Sequence, residues 1–104
     1  MAMIRNLTPH VVNLLIDGTW EAIPSEGVVP RVSKKQEIIS EGPIRIVREI
    51  FGEIQNLPEP NGDLLIVSQL CCAAAPDRTD LFFPTDLVRD EEGRIVGAKA
   101  LGQN

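Results

Sequence analysis

The sequence has no tyrosine, one tryptophan and three phenylalanines in 104 residues. Its core must therefore come from Ile, Val, Leu and Ala, and a chain of this size buries only about 60–65% of its surface on folding. Such a core is thin, and association into a dimer or larger assembly would compensate for it. Histidine occurs once, at His10, and cysteine only as the neighbours Cys71 and Cys72. Adjacent cysteines rarely form a relaxed disulfide. Without a Cys-x-x-Cys pair or a second histidine, one chain cannot assemble a tetrahedral zinc site of the usual Cys/His composition. A reducing, cytoplasmic compartment is the default expectation. No apolar run approaches the roughly 20 residues that cross a bilayer as a helix. The opening Met1-Ala2-Met3-Ile4-Arg5-Asn6 lacks the basic-then-apolar order of a signal peptide. Lysine is scarce as well, three against seven arginines in a chain of net charge −5. That balance disfavours nonspecific DNA binding, which needs a broad surplus of positive charge.

What is present reads as one folded domain over residues 1–104, with 43% hydrophobic and 24% charged residues. Strand signals dominate. Ile4–Leu7 and Val11–Ile16 are apolar segments separated by Thr8-Pro9-His10, where Pro9 marks a kink or an edge. Asp17-Gly18 then joins Val11–Ile16 to Thr19–Ile23 with the chemistry of a type I′ hairpin turn. A turn at Pro24–Gly27 precedes strand signals over Val28–Ser33 and Lys34–Glu41, and Glu41-Gly42-Pro43 is a further turn. Ile44–Ile54 alternates, with Ile44, Ile46, Arg48 and Ile50 on one face. If that face is inward, Arg48 must meet either an internal Asp or Glu or an anionic ligand.

Gln55–Asp63 is a loop, and Leu64–Val67 a compact strand. Ser68 is placed to cap a helix of about two turns that stops at Pro76. Within it Cys71 and Cys72 read as small hydrophobes. Asp77–Asp80 is a charged loop leading into Leu81-Phe82-Phe83-Pro84. A terminal hairpin follows, Asp86–Arg89 and Arg94–Leu101 around Asp90-Glu91-Glu92-Gly93, and the tail Gly102-Gln103-Asn104 is expected to fray. The expected fold is α+β: a small, mostly antiparallel β-sheet with one or two short helices in a single β-rich ligand-binding domain.

The chain lacks a glycine-rich phosphate-cradling motif. Any Ser-His-Asp or Cys-His arrangement would have to use His10, in its proline-kinked segment, so no catalytic residue, metal ligand or cofactor is assigned. Asp90, Glu91 and Glu92 read as a solvated acidic turn. The coherent set is one for anion binding. Arg31, Arg48, Arg78, Arg89 and Arg94 supply planar forks for phosphate, Gln69 and Thr79 short polar groups for a sugar or base edge, and Phe82 or Phe83 a stacking plane. Five unrelated ion pairs would explain the arginines equally well.

Five segments together carry a resemblance: Asn6-Leu7-Thr8-Pro9-His10; Ile50-Phe51-Gly52-Glu53-Ile54 with Leu57-Pro58; Leu65-Ile66-Val67-Ser68; Asp77-Arg78-Thr79-Asp80-Leu81; and Val88 through Gly97. Nearly the whole chain resembles the phage Thoeris anti-defence family of the first-described type. The resemblance implies a sponge in the host cell cytoplasm that binds cyclic ADP-ribose isomers made by TIR-domain immune sensors and holds them without cleavage. It implies a homo-oligomer, dimer or hexamer, with ligand pockets built from two protomers, and in some members cyclic oligonucleotides at separate sites. Family contacts of arginine, an aromatic and a small polar residue carry over to Arg48, Arg94 or Arg89, Phe82 and Thr79, with Gln69 an equal alternative for the aromatic. The competing reading is a β-rich structural or adaptor protein whose partner is another protein.

Overall fold

The computed structural model describes residues 3–103. Met1, Ala2 and Asn104 lie outside the described residues, and with them the first two positions of the chain start and the last of the expected tail. Eight strands and one helix follow in the order β1 (Ile4–Asn6), β2 (Val12–Ile16), β3 (Thr19–Ile23), β4 (Arg31–Glu41), β5 (Arg45–Gln55), β6 (Leu64–Ile66), α1 (Gln69–Ala74), β7 (Leu81–Arg89) and β8 (Ile95–Gly102). The fold is β-rich with one short helix, and although three of the six ladders are parallel, the antiparallel ones hold most of the paired residues.

Local chemistry accounts for the hairpins. Asp17 and Gly18 both take positive φ, 50° and 77°, as a type I′ turn between β2 and β3 demands. Gly93, at φ 81°, serves the β7–β8 turn. Ser68 caps α1 by accepting a hydrogen bond on Oγ from the Cys71 N–H at 3.2 Å.

Six strands form one sheet in the order β1-β6-β7-β8-β2-β3, while β4 and β5 pair only with each other. The sheet rolls until its two edge strands meet. Asn6 at the end of β1 bridges to Ser25 just beyond β3, and the Glu26 N–H donates to the Asn6 carbonyl at 3.0 Å. The Asn6 side chain, with no exposed surface, completes the closure. Its Nδ2 donates to the carbonyls of His10 and Ile23, both at 2.8 Å, while its Oδ1 accepts from the Thr8 N–H at 2.9 Å and the Thr8 hydroxyl at 2.6 Å. Two donors and two acceptors are the full capacity of an amide.

Alternation along β6 divides the core. Ile66 points into the roll with Leu14 and Ala98, and Ile4, Val12, Ile16, Ile23 and Leu101 pack around them. Leu65 and Val67 point outward, where they join Leu7, Leu81, Cys71 and Cys72 beneath α1. The same outer cluster receives Val32, Ile54 and Leu57, and so seats the base of the β4–β5 hairpin. Beyond that base the hairpin projects as an arm of eleven-residue strands, in a molecule of 54 × 38 × 22 Å.

Several expected boundaries move. The strand signals at 28–33 and 34–41 merge into β4, which starts at Arg31 because Pro30 has no N–H to offer a ladder. Leu81–Pro84 and Asp86–Arg89 likewise form one strand. Pro84 is tolerated in β7 because β6 is three residues long and ends opposite Phe82, so Pro84 has no ladder to break on that side. The tail does not fray where it is described. Gly102 belongs to β8, and Gln103 Nε2 donates to the Thr79 carbonyl at 2.6 Å.

Replacing Asn6 with Ala would strand the buried partners of its amide. We expect a loss of about 2–4 kcal/mol in urea unfolding; an unchanged midpoint and slope would contradict the role of this side chain.

Candidate functional site

The candidate arginines fall into two classes, those already held by the chain and those left without a partner. Arg78 is held. Its Nε and one terminal nitrogen grip both oxygens of Asp80 at 2.8 Å, and the same terminal nitrogen donates to the Pro58 carbonyl at 2.8 Å. The bidentate bond from Arg78 holds the Asp80 carboxyl below the usual carboxylate range. This pair pins the long 56–63 loop against the start of β7, which accounts for Arg78 without a ligand.

Arg89 and Arg94 flank the β7–β8 turn and are engaged there. Arg89 donates to the Gly93 carbonyl at 2.8 Å. Arg94 meets Asp90 at 3.4 Å and also pairs with Glu92, so two of the acidic turn's three carboxylates are met by its own neighbour. Among the described residues no three His, Cys, Asp or Glu side chains gather as a metal site.

Gln69 is exposed at the start of α1, and Thr79 is exposed in the loop before β7. Phe82 is half-buried on β7 opposite Ile66. Phe83 packs on the outer core and covers Gly102 so closely that a Cβ there would lie 2.7 Å from its ring. Phe82 shares the Ile66 side of the sheet, which faces the roll and not α1, and β7 separates the Arg78–Phe82 end from Arg89 and Arg94 by roughly 25 Å at 3.3 Å per residue.

Arg31 and Arg48 belong to the second class, since neither makes an ion pair among the described residues. Arg31 opens β4 at the arm's base, and Arg48 lies further out on β5, beyond the register shift between Val32 and Lys34. The Ile44, Ile46, Arg48, Ile50 face does not turn inward, so the condition under which Arg48 would need a buried partner is not met: the arm projects away from the roll, and these side chains are exposed. Arg48 sits opposite Glu37 in the ladder, six residues along β4 from Arg31, or roughly 20 Å.

Arg31 lines a shallow recess of about 320 Å³ with Gly27, Val28, Val29 and Asn56. The walls are turn backbone: Gly27 has φ 83° and Asn56 φ 65°, so both segments bend sharply at the arm's base. A free guanidinium beside such a bend offers a fork to a phosphate or carboxylate. The recess is open to solvent.

The aromatic plane missed by sequence reasoning is Trp20. Its indole is 49% exposed and lies against Gly97, where a Cβ would come within 2.6 Å of Cζ3. With Asn13, Val88 and Val96 it lines a second recess of about 340 Å³, braced by a 3.0 Å bond from Asn13 Nδ2 to the Val96 carbonyl. The available signal was alternation in β2 and β3, which puts Asn13 and Trp20 on the face opposite Leu14.

Comparison of the chain with protein-family models, with curated proteins and with solved structures gave no match. The site must therefore be judged on its own chemistry. Cys71 and Cys72 are free and buried, and burial pushes the Cys72 thiol up to about 11 and the Cys71 thiol upward too. At neutral pH both are protonated and poor nucleophiles.

The Asp80 carboxyl titrates below its ordinary range, so its contribution to stability is present above pH 4 and is lost as the pH falls through the folded-state value. Asp80→Asn is expected to lower unfolding stability by about 1–3 kcal/mol at pH 7, with the difference from wild type shrinking toward pH 3. A constant difference across that range would show that the pair is not the cause.

Proposed function

We propose that this chain is a non-catalytic sponge that sequesters cyclic ADP-ribose-type signals in pockets between protomers, with cyclic oligonucleotides as a second ligand class. The observation that carries the reading is the Arg31 recess, a guanidinium without an ion-pair partner among the described residues at a sharply turned, partly polar and open wall. A cyclic ADP-ribose-type ligand presents a diphosphate, two riboses and one base. An arginine fork matches the phosphates, while the neighbouring apolar arm face offers a dry surface to sugar and base. The resemblance of the sequence to the Thoeris anti-defence family points the same way.

Capture without cleavage needs a binding wall and no activated nucleophile. The protonated, buried state of both thiols favours capture over covalent chemistry. His10 is exposed on the β1–β2 loop, on a segment whose carbonyl is taken by Asn6.

A second reading, a β-rich structural or adaptor protein that binds another protein, is favoured by the apolar side chains along the arm. The two readings separate at Arg31. Calorimetry with cyclic ADP-ribose isomers is expected to give saturable binding, and Arg31→Ala is expected to weaken it about ten- to a hundredfold, the value of one charge-assisted bond. Absence of binding at high micromolar ligand would contradict the sponge and leave the adaptor.

A further inference from the structure

The one tryptophan of the chain has a seat made for it. Trp20 stands on β3, yet its benzo ring rests on Gly97 of β8, so the indole reaches across the full width of β2. Only glycine leaves room there: a Cβ at position 97 would lie 2.6 Å from Cζ3 and 3.1 Å from Cη2. About half of the side chain nevertheless stays in solvent, where its apolar surface does not contribute to the core.

Beside the ring, Val88, Val96 and Asn13 line the recess of about 340 Å³. The Asn13 amide has a fixed orientation. The Val96 carbonyl can only accept, so the amide nitrogen is the end that faces it, at 3.0 Å. That leaves Oδ1, which accepts no side-chain or turn hydrogen bond from the described residues. No charged side chain lines this recess, nor the shallower one that shares Asn13 and Val96 and runs on past Val11 and Leu87. The Arg31 recess, which offers a cation, is of a different kind.

These walls set the occupant. An indole face stacks on another aromatic plane, the valines keep its edge dry, and a lone amide oxygen selects an N–H donor. With neither a cation nor a carboxylate at hand, a charged group would lose its hydration without compensation. We infer that the Trp20 recess is a second binding site, for an uncharged planar heteroaromatic ring that stacks on the indole and donates an N–H to Asn13 Oδ1. The site stands independently of the sponge reading, and it shares no residue with the Arg31 recess.

It carries its own reporter, because a chain without tyrosine owes its indole emission to Trp20 alone. Benzimidazole, a planar ring that is neutral at pH 7 and has one N–H, is the probe. Its titration is expected to quench that emission saturably, with a Kd of about 0.1–5 mM for so small a ligand. The 1-methyl derivative keeps the ring and loses the N–H, and is expected to bind about five- to tenfold more weakly, the value of one hydrogen bond. Asn13→Val, at an exposed position, should lower benzimidazole to the affinity of its methyl derivative and leave the derivative unchanged. Arg31→Ala should alter neither titration. Absence of saturable quenching up to about 20 mM overturns the site. Equal binding of the two probes to wild type, or a difference that persists in Asn13→Val, overturns the Asn13 contact and with it the ligand class. Loss of quenching in Arg31→Ala places the probe in the other recess and overturns the inference as well.

Discussion

The closure of the sheet depends on one buried amide. Asn6 ends a strand of three residues, and its side chain and backbone hold the loop after β1, the end of β3 and the turn beyond it. Without that clasp the roll is an open six-stranded sheet whose two edges are exposed, and Ile66, Leu14 and Ala98 lose their enclosure. Leaving an amide buried is costly unless every donor and acceptor is met. Here all are met, so the same group that closes the fold also selects the register in which it closes.

From the clasp outward, the structure is organised by how little apolar material there is. Leu65 and Ile66, neighbours in β6, each anchor a different core, one beneath α1 and one inside the roll. Splitting a small set of aliphatics in this way leaves none to cover the arm. The isoleucines there face solvent in a single chain, while the base of the arm is fixed by Val32 and Ile54. A fixed base with an uncovered shaft is suited to present a surface. Arg31 stands where the shaft joins the body.

The features legible in the sequence are those made by neighbours in the chain. Asp17-Gly18 specifies its turn, Ser68 its helix start, and the alternation of Ile44, Ile46, Arg48 and Ile50 the face they share. Which face is covered is a nonlocal matter that the alternation leaves open, and the structure answers it by pairing β5 only with β4. The parallel β1-β6-β7 ladder was equally hidden, because segments only three residues long are joined across some sixty positions of chain. Among the candidate residues, Arg78 has its partner two positions away in Asp80, and Arg94 its partners in the turn it follows. Both are read more simply as structural ion pairs. Trp20 escaped notice because its half-exposed seat requires Gly97, more than seventy residues later.

What the arginine recess and the family resemblance jointly assert is capture without chemistry. Mass spectrometry of the small molecules released by heating, after the protein has been incubated with cyclic ADP-ribose isomers and desalted, tests that most directly. The account predicts recovery of the intact cyclic nucleotide, in an amount that does not decay with incubation time. Recovery of a linear or hydrolysed product that accumulates with time, or of no nucleotide at all, would contradict it.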